Sequence, residues 1–101
     1  MFYFQNTRKP DFRNVRTIDY DDYWRERGFS INKKLKEREE IILSKIPKGA
    51  SVLDIGCGNS LLPIALKEKD CAVTVADVSK EVLKGYSQYQ IETLFIDLEK
   101  I

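Results

Sequence analysis

Ser51-Val52-Leu53-Asp54-Ile55-Gly56-Cys57-Gly58-Asn59-Ser60 is the stretch on which the reading of this chain turns. A short apolar run with an acid near its end reads as a buried strand, and a glycine-rich turn follows at once. Residues 60–69 then carry Leu61, Leu62, Ala65 and Leu66 at helical spacing. Pro63 fits that helix only because it falls in the first turn, where its missing N–H is not needed. Strand, glycine turn and helix in this order form a phosphate- or carboxylate-tolerant corner. Gly56 lets the chain turn sharply, Gly58 lets the backbone approach a ligand, and the helix start offers free N–H groups.

Downstream the same alternation repeats. Ala72-Val73-Thr74-Val75-Ala76 reads as a second strand ending at Asp77. Ser79 suits the N-cap of a helix running to about residue 89, with Val82, Leu83 and Tyr86 turned inward. Glu92-Thr93-Leu94-Phe95-Ile96 reads as a third strand ending at Asp97. This pattern predicts an α/β fold: a Rossmann-like parallel sheet with right-handed crossovers and helices on both faces, of which only the first three strands are present. A doubly wound sheet places its ligand crevice beside the first strand, where strand order reverses. The strand forming the other wall is expected after residue 101, which leaves one edge of the first strand open to pair with another chain.

Upstream, residues 1–29 form an aromatic-rich segment with Phe2, Tyr3, Phe4, Phe12, Tyr20, Tyr23, Trp24 and Phe29, read as a lid, and residues 30–101 form the half-domain. A short helix is expected over residues 21–27, ended by Gly28. A second is expected over residues 31–46, capped by Ser30 and stopped by Pro47 and Gly49. Its apolar face is Ile31, Leu35, Ile42, Leu43 and Ile46, and its charges cover a solvated face.

The chain has 101 residues, 17 basic and 16 acidic, and no histidine. The near balance of charge leaves no electrostatic footprint for nucleic acid or an anionic membrane. No apolar stretch approaches the roughly 18 residues of a membrane span, and the early polar residues do not suit a signal peptide. The expected location is the cytoplasm. Cys57 and Cys71 lack metal-site spacing, and without histidine neither a zinc site nor a histidine-activated nucleophile is expected. Both cysteines are expected reduced.

Asp77 lies about twenty residues beyond Gly56, where an acid accepts hydrogen bonds from ribose hydroxyls. The combination points to an adenosine-type cofactor. A dinucleotide fingerprint wants a third glycine at position 61, and this chain has Leu61, which leans away from NAD.

Residues 52–60 resemble motif I of the class I S-adenosylmethionine (SAM) dependent methyltransferases. Val75-Ala76-Asp77-Val78-Ser79 resembles their second motif, and Phe95-Ile96-Asp97-Leu98 the adenine-contacting end of their third strand. The upstream Tyr20-Asp21-Asp22-Tyr23-Trp24-Arg25-Glu26-Arg27-Gly28 and Arg38-Glu39 are similar to the small MetW-like group. The elongation-factor lysine methyltransferases share a Tyr-Trp element and the same glycine turn. The family usually has a third glycine where this chain has Ser60, which can cap the helix instead.

The resemblance implies SAM as cofactor and methyl transfer to an acceptor as the activity. It implies that Asp54 orders the turn and that Gly56, Cys57, Gly58 and Asn59 lie along the methionyl part. Asp77 would take the ribose hydroxyls, Val78 the adenine face, Asp97 the adenine amino group, and the Leu98 N–H the ring edge. Tyr23, Trp24 and Arg25 would close over the methionyl end, with Arg25 a partner for its carboxylate. Core or lid packing explains Tyr23 and Trp24 better than a catalytic role, and a surface position explains Arg25 better than a ligand contact. The acceptor, a small molecule or a protein, is not encoded in these residues, and no catalytic base is assigned. Two further readings stand beside the enzyme. One is a truncated or split methyltransferase domain acting as a binding module, which pairs through its open sheet edge with a second chain or a copy of itself. The other is a nicotinamide-dependent enzyme, disfavoured by Leu61.

Overall fold

The computed structural model describes residues 19–96, and Asp97 and Leu98 lie outside them. The elements are α1 (Tyr20–Arg27), α2 (Glu37–Lys45), β1 (Ser51–Ile55), α3 (Leu62–Glu68), β2 (Ala72–Asp77), α4 (Lys80–Ser87) and β3 (Glu92–Phe95). The three strands form one parallel sheet in the order β1-β2-β3. Register runs from Ser51 opposite Ala72 to Ile55 opposite Ala76, and from Thr74 opposite Glu92 to Asp77 opposite Phe95. The expected α/β arrangement is therefore present. The glycine turn and the acids Asp54 and Asp77 stand together because β1 and β2 end side by side.

Two successive crossovers of the same hand, stepping the same way across the sheet, put α3 and α4 on the same side. Leu62 and Leu66 of α3 and Val82, Leu83 and Tyr86 of α4 meet Val73 and Val75 of β2 in one buried core. Val52 of β1 packs against it from the same face. The opposite face of the sheet bears Leu53, Ile55 and Leu94, which are 55%, 61% and 52% exposed. Among the described residues, the helices thus gather on one face. Ala76, small and flanked there by Ile55 and Leu94, is the buried exception.

The local signals hold where side chains can act on the backbone. The Asp19 carboxylate accepts from the N–H groups of Asp21 and Asp22 and starts α1, and Gly28 at φ 71° ends it. Ser79 accepts from the Val82 N–H, 3.4 Å away, and caps α4. Pro63 sits in the first turn of α3. The Asp21 side chain also accepts from the Ser79 hydroxyl and the Glu81 N–H, so α1 is tied to the start of α4.

The helix expected over residues 31–46 is shorter at its start. Residues 31–36 are irregular, and α2 begins at Glu37, where the Glu39 carboxylate accepts from the Lys36 N–H at 2.8 Å. Ser30 caps no helix; its carbonyl instead accepts from the Asn59 amide. The inward positions also differ from the expected face. Leu43 and Ile46 pack on the core, Ile42 is exposed, and Glu39 is buried. Residues 39, 43 and 46 form one helical stripe, and the carboxylate takes the place of an apolar side chain in it.

The described part of the aromatic segment shares the main core. Trp24 and Phe29 pack against it, in a chain of edge-to-face contacts running Tyr23–Trp24–Phe29–Tyr86. Phe29 fits because Gly85 of α4 has no side chain: a Cβ there would stand 2.1 Å from the ring. Replacing a helical glycine by alanine ordinarily stabilises by roughly 1 kcal/mol. Here the overlap reverses the sign, and Gly85→Ala is expected to cost about 1–3 kcal/mol in chemical denaturation. A gain in stability would contradict this placement of Phe29.

Candidate functional site

The glycine turn leaves β1 with the Gly56 N–H donating to the Ala76 carbonyl at 2.8 Å, one last rung of the β1–β2 ladder. Gly56 and Gly58 then adopt φ of 69° and 59°. Both values lie in the left-handed region that strains any residue with a Cβ, so both glycines are required by backbone shape.

Three separate parts of the chain hold the turn from behind. The hydroxyl of Tyr86, on α4, lies 2.5 Å from the Ser60 carbonyl and 3.1 Å from that of Gly58. The Asn32 N–H donates to the Asn59 carbonyl at 2.8 Å. The Ser60 hydroxyl bonds the Glu39 carboxylate and accepts from the Leu62 N–H at 3.0 Å. Within the turn, the Ser60 N–H donates to the Cys57 carbonyl. The carbonyls of residues 57–60 are all engaged by the protein itself.

The acids gather beside this turn. Asp77, 7% exposed, accepts from the Ser79 N–H at 2.9 Å. Burial pushes its carboxyl above the usual value, while the N–H groups of Ser79, Val78 and Gly58 pull it back. Asp54 is half-buried, and its carboxyl is also raised, first by burial and then by the negative charges of Glu39 and Asp77. The three carboxylates come from α2, β1 and β2, and together they give the site a negative field. Among the described residues the ion pairs are Arg25–Asp22 and Lys48–Asp70, neither of them here. No group of three or more metal-binding side chains is assembled among these residues either.

Sequence-expected residues fall into three groups. Asp54, Gly56, Cys57, Gly58, Asp77 and Val78 come together where β1 and β2 end, and Trp24 lies over Gly58, 3.6 Å from where its Cβ would be. Asn59 joins them through its backbone only; its side-chain amide faces the loop and bonds Ser30 and Asn32. Tyr23 and Arg25 turn elsewhere. The Tyr23 ring stacks under the Arg27 guanidinium at 3.7 Å, and Arg25 pairs with Asp22 on the exposed side of α1. Cys57 is partly buried beside the turn. Burial, opposed by the nearby Tyr86 hydroxyl and aided by Asp54 and Asp77, pushes its thiol up to about 12, so it stays protonated and inert.

Two contributors have no site role in the sequence reading. Glu39 enters there only within the Arg38-Glu39 pair of the resemblance, with no local mark of burial. Tyr86 was placed in the core, and its signal was present: a tyrosine at an inward helix position needs a partner for its hydroxyl. A cleft of about 610 Å³ lies elsewhere, between the loop with Phe29 and Asn32 and the outer sides of α3 and α4, and none of the glycine-turn residues lines it. The turn itself opens beside β1, whose outer edge has no partner strand among the described residues.

The raised carboxyl of Asp54 has a consequence for stability. With a folded pKa above the unfolded value of 3.8, the folded protein holds the proton more tightly. Stability therefore falls as pH rises from 3.8 through the raised value, and the ionised acid is a net cost above it. Asp54→Asn is expected to raise the thermal midpoint at neutral pH and to flatten the gain seen on mild acidification. A lowered midpoint at neutral pH, with the acid gain intact, would contradict this.

No family model matches the chain, and neither a curated protein nor a solved structure matches it.

Proposed function

We propose that this chain binds SAM at its glycine turn and supplies the cofactor-binding half of a methyltransferase. The observation that carries the reading is the position of Asp77. It is fixed at the end of β2, within reach of the Gly58 N–H, beside two glycines in left-handed conformation at the end of β1. The Ser79 N–H takes one Asp77 oxygen and those of Val78 and Gly58 stand near the carboxylate; a carboxylate has about four lone-pair sites, and the capacity left suits a ribose hydroxyl. The backbone at Gly56 and Gly58 suits close approach by the aminoacyl part. Val78, half-exposed beside Asp77, suits the adenine face. The negative field of Asp54, Asp77 and Glu39 favours a ligand with an ammonium and a sulfonium over one with a pyrophosphate. That supports SAM over NAD independently of Leu61.

Bound there, SAM supplies an activated methyl group for in-line displacement by an acceptor. The chain's own part is to hold the donor in one pose under Trp24 and keep water from it. Tyr23 and Arg25 are engaged within α1 by Arg27 and Asp22, so Trp24, which lies over Gly58, is the described α1 residue suited to closing over it.

A second reading has its own support. Leu53, Ile55 and Leu94 leave a large apolar sheet face exposed beside the open edge of β1, and exposed patches of this kind mark interaction surfaces. On that reading the chain is a binding module that a second chain completes.

Calorimetric titration with S-adenosylhomocysteine, with NAD as control, tests the first reading. Saturable heat is expected with the first ligand alone. Asp77→Asn, which keeps an acceptor for Ser79 but removes the charge, should weaken it at least about tenfold. Heat with NAD, or none with either ligand from a folded chain, would overturn the proposal.

A further inference from the structure

Tyr86 lies on the helix behind the turn and is fully buried. Its ring belongs to the core with Leu66, Val75 and Val82. A buried phenol needs one partner, and here its single proton stands between two carbonyls of the same turn, those of Gly58 and Ser60. Burial, with Cys57, Asp54 and Glu39 nearby, pushes the phenol well above its usual value, so it remains a donor at any physiological pH.

The bridge fixes more than two oxygens. In a trans peptide the carbonyl and the following N–H point in opposite directions. With the Gly58 carbonyl drawn toward α4, the Asn59 N–H faces away from it; with the Ser60 carbonyl drawn in, so does that of Leu61. Neither N–H has a backbone acceptor among the described residues. Gly58 gives the turn wide conformational freedom, so its ligand-facing surface depends on an external pin. Asn32 and Glu39 hold residues 59 and 60, and among the described residues Tyr86 alone reaches both sides of the turn.

We propose that Tyr86 is a positioning residue of the ligand site: its hydroxyl, bridging the carbonyls of Gly58 and Ser60, holds the glycine turn in the backbone conformation that receives the aminoacyl part of the cofactor. The inference rests on the SAM reading for the identity of the ligand, and on the geometry alone for the pinning of the turn. It assigns Tyr86 a role through the backbone, with no contact to the ligand.

The test compares Tyr86→Phe with Val82→Ala in the full chain. Both remove atoms from the same buried face of α4, but only the first removes the bridge. Titration with S-adenosylhomocysteine should show Tyr86→Phe weakened at least about tenfold and Val82→Ala close to wild type. Amide exchange of residues 58–61 should accelerate in Tyr86→Phe beyond the change in Val82→Ala. Equal affinities in Tyr86→Phe and wild type, or equal weakening in both variants, would overturn the proposal. If wild type itself does not bind, the SAM reading fails. Amide exchange then decides on Tyr86: selective acceleration at the turn supports the pin, and equal exchange in the two variants overturns it.

Discussion

The pinned backbone between Gly56 and Ser60 is the constraint that ties the candidate site to the rest of the molecule. A turn with two left-handed glycines has many conformations open to it and little local reason to choose one. It is held by Tyr86 from α4, by Asn32 from the loop before α2, and by Glu39 from α2 itself. Each anchor belongs to a segment that must first pack against the core. The shape of the turn is therefore a readout of the whole core, and loosening α2 or α4 should reach it.

The same region concentrates the destabilising groups. Asp54, Asp77 and Glu39 are partly or wholly buried near one another, and burial raises the first two carboxyls. Glu39 and Asp77 hold backbone and hydroxyl groups in place, but the packing requires no acid at Asp54, where an amide side chain would fill the space at lower electrostatic cost. Buried, mutually repelling charge beside a shaped backbone is the arrangement expected of a ligand site. A cationic ligand would relieve it. The carboxylate of Asp77 meanwhile does structural work through the Ser79 N–H, which ties the site to the start of α4 and, through Asp21, to α1.

Much of this was legible in the sequence because it is local. Alternating strand and helix patterns, Pro63 in a first turn, Ser79 as a cap and the two glycines after β1 each act over a few residues, and each stands where the pattern puts it. The start of α2 departs from the expected one because Ile31 and Leu35 reach the core from irregular chain, which helical spacing alone does not distinguish from a helix. Glu39 carries no local signal because its partner, Ser60, stands twenty-one residues away in the chain. Asn59 looked like a ligand contact, yet its amide is consumed by Ser30 and Asn32, on a loop whose course no local signal fixes. Arg25 and Tyr23 share a helix with Trp24 but face other directions, as residues one apart on a helix must.

Trp24 offers the most direct measurement. It is the single tryptophan of the chain and lies over Gly58. A ligand seated on the turn must change its surroundings. Its fluorescence should shift saturably on addition of S-adenosylhomocysteine and stay constant on addition of NAD. An emission spectrum unmoved by S-adenosylhomocysteine in the folded protein, or moved equally by NAD, would contradict the claim that the pinned glycine turn is a SAM site.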